Sequence, residues 1–329
     1  MKINLIKCDI PIIWLDSSII IKIAKWKNNT LSNKSDLKVI PEIYCTIKKL
    51  VDNKKIICPI ADQKEEIYWN DDLIIDILYS LSRGIKFKFR LSIEKYQMQQ
   101  FMKAFIEKAE DASVSYRHAF RRDPIKELME EKKYNVIVNM PKLESMYEVE
   151  QKKENLRNKL EDLRTTAQNK KENFYQRLEL EYEGCLNAIL ELGSNSLNKL
   201  FIQKDFSLEN YSNLTVLAEP LCWWKHFNGE PKDFNGLKSF YLSDTFKEIP
   251  IIEIKCKIFA KILTESSVIK KGDVMDIEQI SALMPYCNYL VLDKSMKHWL
   301  LKLKLNEKYN TNVFSVSDFD KLMEELNNI

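Results

Sequence analysis

Short, wholly apolar runs alternate with amphipathic helical stretches at both ends of this chain. Ile10-Pro11-Ile12-Ile13-Trp14-Leu15 is apolar throughout and stops at Asp16, with Ser17 and Ser18 behind it. A run too short for a helix and closed by a capping residue predicts a buried strand that turns into a helix, here continuing to about Trp26. A polar stretch over 28–35 follows, then a helix over 37–51 with Pro41 near its start. Lys55-Ile56-Ile57-Cys58-Pro59-Ile60 is a second strand candidate, and a helix over 61–83 should close on Gly84. Ile85-Lys86-Phe87-Lys88-Phe89-Arg90-Leu91 alternates strictly, the mark of a half-buried strand.

The middle of the chain has a different pattern. Leu156, Leu160, Leu163, Ala167, Phe174 and Leu178 recur near a 3.5-residue period among dense charges, lapsing at Lys170-Lys171. That predicts a long amphipathic helix or helical hairpin, broken at Gly193-Ser194-Asn195-Ser196. Residues 206–246, with Trp223-Trp224, Gly229 and Gly236, read as irregular, the two tryptophans serving as core. From 249 the earlier rhythm returns: a helix over 252–264, another around Asp276, a strand Tyr289-Leu290-Val291-Leu292, a helix over 294–305, a short strand at 312–314 and a Ser317-capped last helix. The expected organisation is an α/β core from 1–91 and 249–329, with 92–248 inserted as a mainly helical segment.

Composition narrows the chemistry. The 329 residues are 45% hydrophobic and 30% charged, which fits a globular chain rather than a disordered or membrane one. A net charge of +3 is too small to name a partner. Lys2, Lys7 and Asp9 interrupt the N-terminal apolar region, so no signal peptide and no membrane partner are expected. Seven cysteines without a CxxC pair fit reduced thiols and a cytoplasmic location. Three histidines without metal-site or triad context argue against zinc and serine-hydrolase chemistry. No GxGxxG or GxxxxGK[ST] is present. Carboxylates are what remains.

Four aspartates stand out by position. Asp16 and Asp293 each end an apolar run, and Asp273 and Asp276 open the helix that precedes the second of these runs. In parallel α/β folds, chemistry gathers at the C-terminal ends of strands. Each acid alone could be a helix cap. Together, their order and spacing resemble the PIN-domain family of metal-dependent nucleases, whose pattern is an Asp followed by Ser or Thr after the first strand, a Glu near the start of an early helix, a third acid opening a later helix, and a fourth after the next strand. Asp16-Ser17-Ser18, Asp276 and Asp293 match the first, third and fourth positions; Glu66 matches the second, with Asp62 and Glu65 as alternatives. The stretch from Gly272 to Asn288 also looks like a bacterial branch of PIN-like proteins with large helical insertions.

The resemblance implies a PIN-like three-layer α/β/α core with a central parallel sheet. It implies catalytic Asp16, Glu66, Asp276 and Asp293, and Mg²⁺ or Mn²⁺ held by Asp16, Asp273, Asp276 and Asp293. The reaction would be metal-assisted hydrolysis of phosphodiesters, RNA before DNA, in a toxin or antiviral-defence effector. Ser17 or Ser18 could position a water. For nucleic-acid contact the candidates are Lys86, Lys88 and Arg90 on one face of the 85–91 strand, with Arg117 and Arg121 in the densest basic cluster; an edge strand blocked by lysines is the competing reading of the first three. The alternative function is a degenerate PIN-like interaction module that docks a protein partner, or a second copy, through its helical insertion. A phosphatase of the haloacid-dehalogenase type stands last, because Ser18 occupies the place of its second Asp.

Overall fold

The computed structural model describes residues 1–61, 72–130, 146–205, 207–265 and 268–329. Glu66, and with it Asp62 and Glu65, lies outside the described residues. The chain is mainly helical (67%) with small parallel sheet structure, as an α/β reading requires. Its contacts divide it into two units: residues 5–93, 115–162 and 268–329 form one, and residues 1–4, 94–114 and 163–267 the other. This division differs from the expected one at three places, the first being residues 1–4, which group with the middle of the chain. Residues 115–162 group with both ends of the chain, and the helix Pro250–Thr264 groups with the middle.

The first unit is built on a parallel sheet of three strands in the order Ile13–Leu15, Tyr289–Leu292, Asn312–Ser315. Leu15 pairs with Val291, and Val291 with Phe314. Single bridges widen it on the other side: Ile12 to Ile57 and Ile60 to Lys86, both parallel, and Phe87 to Phe120, antiparallel. Numbering the parallel segments along the chain, the spatial order is 3-2-1-4-5. The order reverses between the first segment and the fourth, and such a switch point opens a crevice at the carboxyl ends of the two strands.

The strands are short but buried. Ile13, Trp14 and Leu15 are at most 1% exposed. Helix Ser17–Lys27 covers the sheet with Ile19, Ile20 and Ile23, and helix Lys34–Asp52 adds Ile40, Ile43, Ile47 and Leu50 at spacings of three and four. Each such side chain, once buried, contributes roughly 1.5–3 kcal/mol. The second helix starts three residues before its predicted position, at an Asn33 cap whose Oδ1 accepts from the backbone of Ser35 and Asp36. Pro41 is therefore interior to the helix rather than in its first turn, where it costs one backbone hydrogen bond. At the opposite end of the sheet Lys7 Nζ donates to the carbonyls of Cys287 and Asn310, both at 2.5 Å, and to Thr311 Oγ1 at 3.0 Å. Burial pulls its pKa down to about 8.

The stretch 85–91 is not a strand throughout. Lys86 and Phe87 form bridges, and from Arg90 the chain is helical to Glu107. Phe87 is buried against Phe120, ring centroids 4.4 Å apart, whereas Phe89 is 43% exposed, so the two do not share a buried face. The apolar stripe Ile93, Phe101, Met102, Ala104 begins here and commits these residues to a helix. The last helix, Phe319–Asn327, follows a turn capped by Ser315 rather than Ser317: Ser315 N and Oγ both donate to Asp318.

In the second unit, helices Phe174–Phe201, Leu208–His226 and Pro250–Thr264 pack together. The lapse at Lys170-Lys171 is the break between helix Met146–Asn169 and the next one. Gly193-Ser194-Asn195-Ser196 does not break the helix that contains it; one glycine costs a long helix only about 1 kcal/mol. Nor is 206–246 irregular, since it carries helices Leu208–His226, Phe234–Tyr241 and Asp244–Lys247. Trp224 explains the glycines there. Its indole is buried and donates to the Pro231 carbonyl at 2.9 Å, and a Cβ on Gly229 would lie 2.3 Å from its ring. Gly229 leaves the space the indole needs, and a Cβ on Gly236 would meet the Pro231 carbonyl at 2.0 Å and the indole nitrogen at 2.7 Å. Strand Lys2–Ile6 pairs with Asp111–Ser115 in a second sheet that the sequence pattern did not announce.

Candidate acidic site at the strand ends

Two strand-to-helix turns carry the central acids, and they share one local design. Asp16 follows Leu15 and caps helix Ser17–Lys27; its Oδ2 accepts from Ser18 Oγ at 2.5 Å and from Ser18 N at 3.3 Å. Asp293 follows Leu292 and caps helix Lys294–Lys302; its Oδ1 accepts from Met296 N at 2.7 Å, and Ser295 Oγ donates to the same carboxylate at 3.0–3.1 Å. Both turns read Leu-Asp-x-Ser, and the strands before them are hydrogen-bonded neighbours, with Asp16 N donating to Val291 O. Ser18 is thus spent on orienting Asp16.

The third side of the site is the start of helix Asp273–Leu283. Asp273 is buried, 1% exposed, and accepts from Lys270 N at 2.8 Å. Asp276 is half-buried one turn on. Lys270 is a residue that the pattern of acids did not flag. Its Nζ donates to Asp293 Oδ2 at 2.5 Å and to Ser295 Oγ at 2.6 Å, and it feels the charges of Asp273 and Asp276 as well. A lysine pair directly ahead of Gly272 was the available signal, but it looks like any solvated charge run.

Electrostatics separate the acids. Burial pushes the Asp16 carboxyl above the ordinary range; bonds from Ser18 pull it back and the nearby Asp293 charge raises it again. Burial also raises Asp273, opposed by Lys270 and reinforced by Asp293. Burial would raise Asp293 too, but Lys270, the Met296 N–H and Ser295 outweigh it and hold that carboxyl below the usual range. Lys270 is drawn down by partial burial and held above its ordinary value by the acids around it. Asp293 is therefore firmly ionised, while Asp16 and Asp273 hold protons more readily than free carboxyls do.

All donors here are oxygen, the chemistry preferred by Mg²⁺ and Mn²⁺. As they stand, the four aspartates are not gathered as a metal-holding group among the described residues. The positive charge among them is Lys270, whose side chain is paired with Asp293 and 54% exposed. Donor type and charge thus fit a hard divalent ion in exchange for Lys270.

The basic candidates are dispersed. Lys86 donates to Tyr79 OH at 2.9 Å and lies over that ring. Arg90 forms an ion pair with Glu278 on the acidic helix, and Lys88 is half-buried near His118. These three do not share a strand face. Arg117 and Arg121 are both exposed, but a 3₁₀ turn at Tyr116–Ala119 ends before Arg121, so they are not stacked one α-helical turn apart. No helix among the described residues is long and apolar enough to cross a membrane. No family model matches the chain, and no curated protein or solved structure matches it either.

Proposed function

We propose that this chain is a metal-dependent ribonuclease with a PIN-like core. One observation carries the reading: two buried or half-buried aspartates end adjacent parallel strands at the point where the strand order reverses, and a third and fourth open a helix beside them. A fold does not bury mutually repelling carboxylates for stability's sake, since each lowers the other's tendency to ionise. Their retention at a strand-end crevice supports a functional use.

Asp16, Asp273, Asp276 and Asp293 would hold one Mg²⁺ or Mn²⁺, with Lys270 displaced. When bound, such an ion acidifies a water and offsets charge on the scissile phosphate. The chain's own residues do the rest. Ser18 and Ser295 fix the orientation of Asp16 and Asp293. Displaced Lys270 remains within its tether of the site as a partner for phosphate oxygens. The test is cleavage of single-stranded and structured RNA by the purified chain with Mg²⁺ or Mn²⁺. Loss of cleavage in chelator and in Asp16→Asn is expected; no cleavage of RNA or DNA with either metal sinks the reading.

The second reading, an interaction module with a neutralised site, is favoured by the Lys270–Asp293 ion pair itself. On that account the lysine stays in place permanently. Titration of Mn²⁺ into the protein, followed by calorimetry, separates the two: an interaction module takes up none.

A further inference from the structure

A pocket of about 800 Å³ opens beside the acids, between helices Ser17–Lys27 and Lys34–Asp52 and the turn after Asn312–Ser315. Asp293 is among the residues that line it. Ile19, Val39 and Phe319 supply apolar wall, and Asn33, Ser317 and Lys294 supply polar groups. Its size lies within the range of sites that bury a small organic ligand.

The charge of the lining argues for the kind of ligand. Lys22 and Lys294 line it together with Asp36, Asp293 and Asp320, and Lys22 is already paired with Asp36 at 3.0 Å. That balance does not suit a polyanion's backbone. It suits a flat, neutral group with hydrogen-bonding edges and an apolar face. Asn33 adds to this: its Oδ1 is spent on Ser35 N, Ser35 Oγ and Asp36 N, which leaves its NH₂ for a ligand acceptor. Nucleobases meet that description, since they stack on apolar and aromatic side chains and are read at their edges.

We propose that this pocket receives one unpaired nucleobase, with the adjoining phosphate at Asp293 and the acids behind it. The inference rests on the ribonuclease reading for its phosphate end and on the pocket alone for its base end. A base can enter only after leaving its stack and its partner, which costs least in an unpaired strand, so single-stranded RNA is preferred over duplex.

The test uses the full chain in EDTA and the four nucleoside monophosphates, with binding followed by saturation-transfer NMR. Wild type is expected to bind at least one of them. Ser317→Trp places bulk into the pocket from an exposed position, and Ser35→Trp does so from the opposite wall. Each, once shown by circular dichroism to be folded, should weaken binding about 10-fold and raise KM for single-stranded RNA about as much, with kcat nearly kept. Duplex RNA should resist cleavage. Folded variants that bind monophosphates like wild type, or equal cleavage of duplex and single strand, overturn the proposal. Binding that the tryptophans abolish in a chain that never cleaves leaves the pocket standing and removes the nuclease. Cleavage with KM unmoved by both tryptophans does the reverse.

Discussion

The turns at Asp16 and Asp293 have the same sequence form, the same capping role and neighbouring strands, yet their carboxyls lie on opposite sides of the ordinary range. The difference is not only local. Asp16 has hydrogen bonds from Ser17 and Ser18 to offset its burial, while Asp293 has a cation as well, Lys270, brought from the loop ahead of the acidic helix. Two turns of one sequence form thus acquire different protonation preferences, from deeper burial at Asp16 and, at Asp293, from the Met296 N–H and a lysine that the turn does not contain.

The largest expected effect that sharpens this comparison is on activity. Asp16→Asn keeps the cap and the volume but removes a charge, and should lower RNA cleavage by at least about 10²–10³-fold. Single-turnover assays at saturating Mn²⁺ measure it; retention of half the activity or more would remove Asp16 from the site. Next comes the cation that makes the turns unlike. Lys270→Met leaves Asp293 facing Asp16 and Asp273 without a counter-charge. In chelator the variant should lose about 1 kcal/mol, a modest figure because the pair is partly exposed. Added Mn²⁺ should restore more stability to the variant than it gives wild type. Equal Mn²⁺ responses in scanning calorimetry would separate Lys270 from any ion site.

A third expectation concerns pH. Asp16 and Asp273 have folded pKa values above their unfolded ones, so their contribution to stability is fully present below the ordinary carboxylate range and is lost as pH rises through the folded values. Asp16→Asn and Asp273→Asn should therefore raise Tm at pH 7, by about 2–4 °C per kcal/mol released, with the gain shrinking on acidification. Asp293 has a lowered folded value, so the stability it gives is present above the ordinary range and lost as pH falls through the folded one. Asp293→Asn should lower Tm at pH 7, and the deficit should close in acid. Melting curves at three pH values decide; the same sign for all three variants would contradict the contrast. The smallest effect belongs to Lys86, Lys88 and Arg90. With Lys86 held by Tyr79 and Arg90 by Glu278, changing all three to Gln should alter the salt slope of RNA binding by less than about one unit, and a larger change would restore them as a phosphate face.

The sequence made some of this legible and hid the rest for physical reasons. Asp16 and Asp293 could be found because an apolar run that ends on an acid is a strong local pattern, and both runs are indeed strands. Lys270 could not, because an exposed lysine is unremarkable until the fold brings Asp293 to it across 23 residues. The helices over 206–246 were hidden by Gly229 and Gly236, whose purpose depends on the bulk of Trp224 and not on their neighbours in sequence. The alternation over 85–91 misled because Phe87 finds a ring to stack on, and Phe89 does not share that buried face. Local pattern located strands and caps; which polar groups share a charge was a matter of long-range placement.

The sheet register has a consequence in time. Ile12 meets Asn288, 276 residues away, and the pairing of Leu15 with Val291 is what sets the two acid-bearing turns side by side. A ribosome delivers Asp16 well before Asp293, at roughly 5–20 residues per second. Between those two moments the acid-bearing turns are held apart, and the cluster they form does not yet exist.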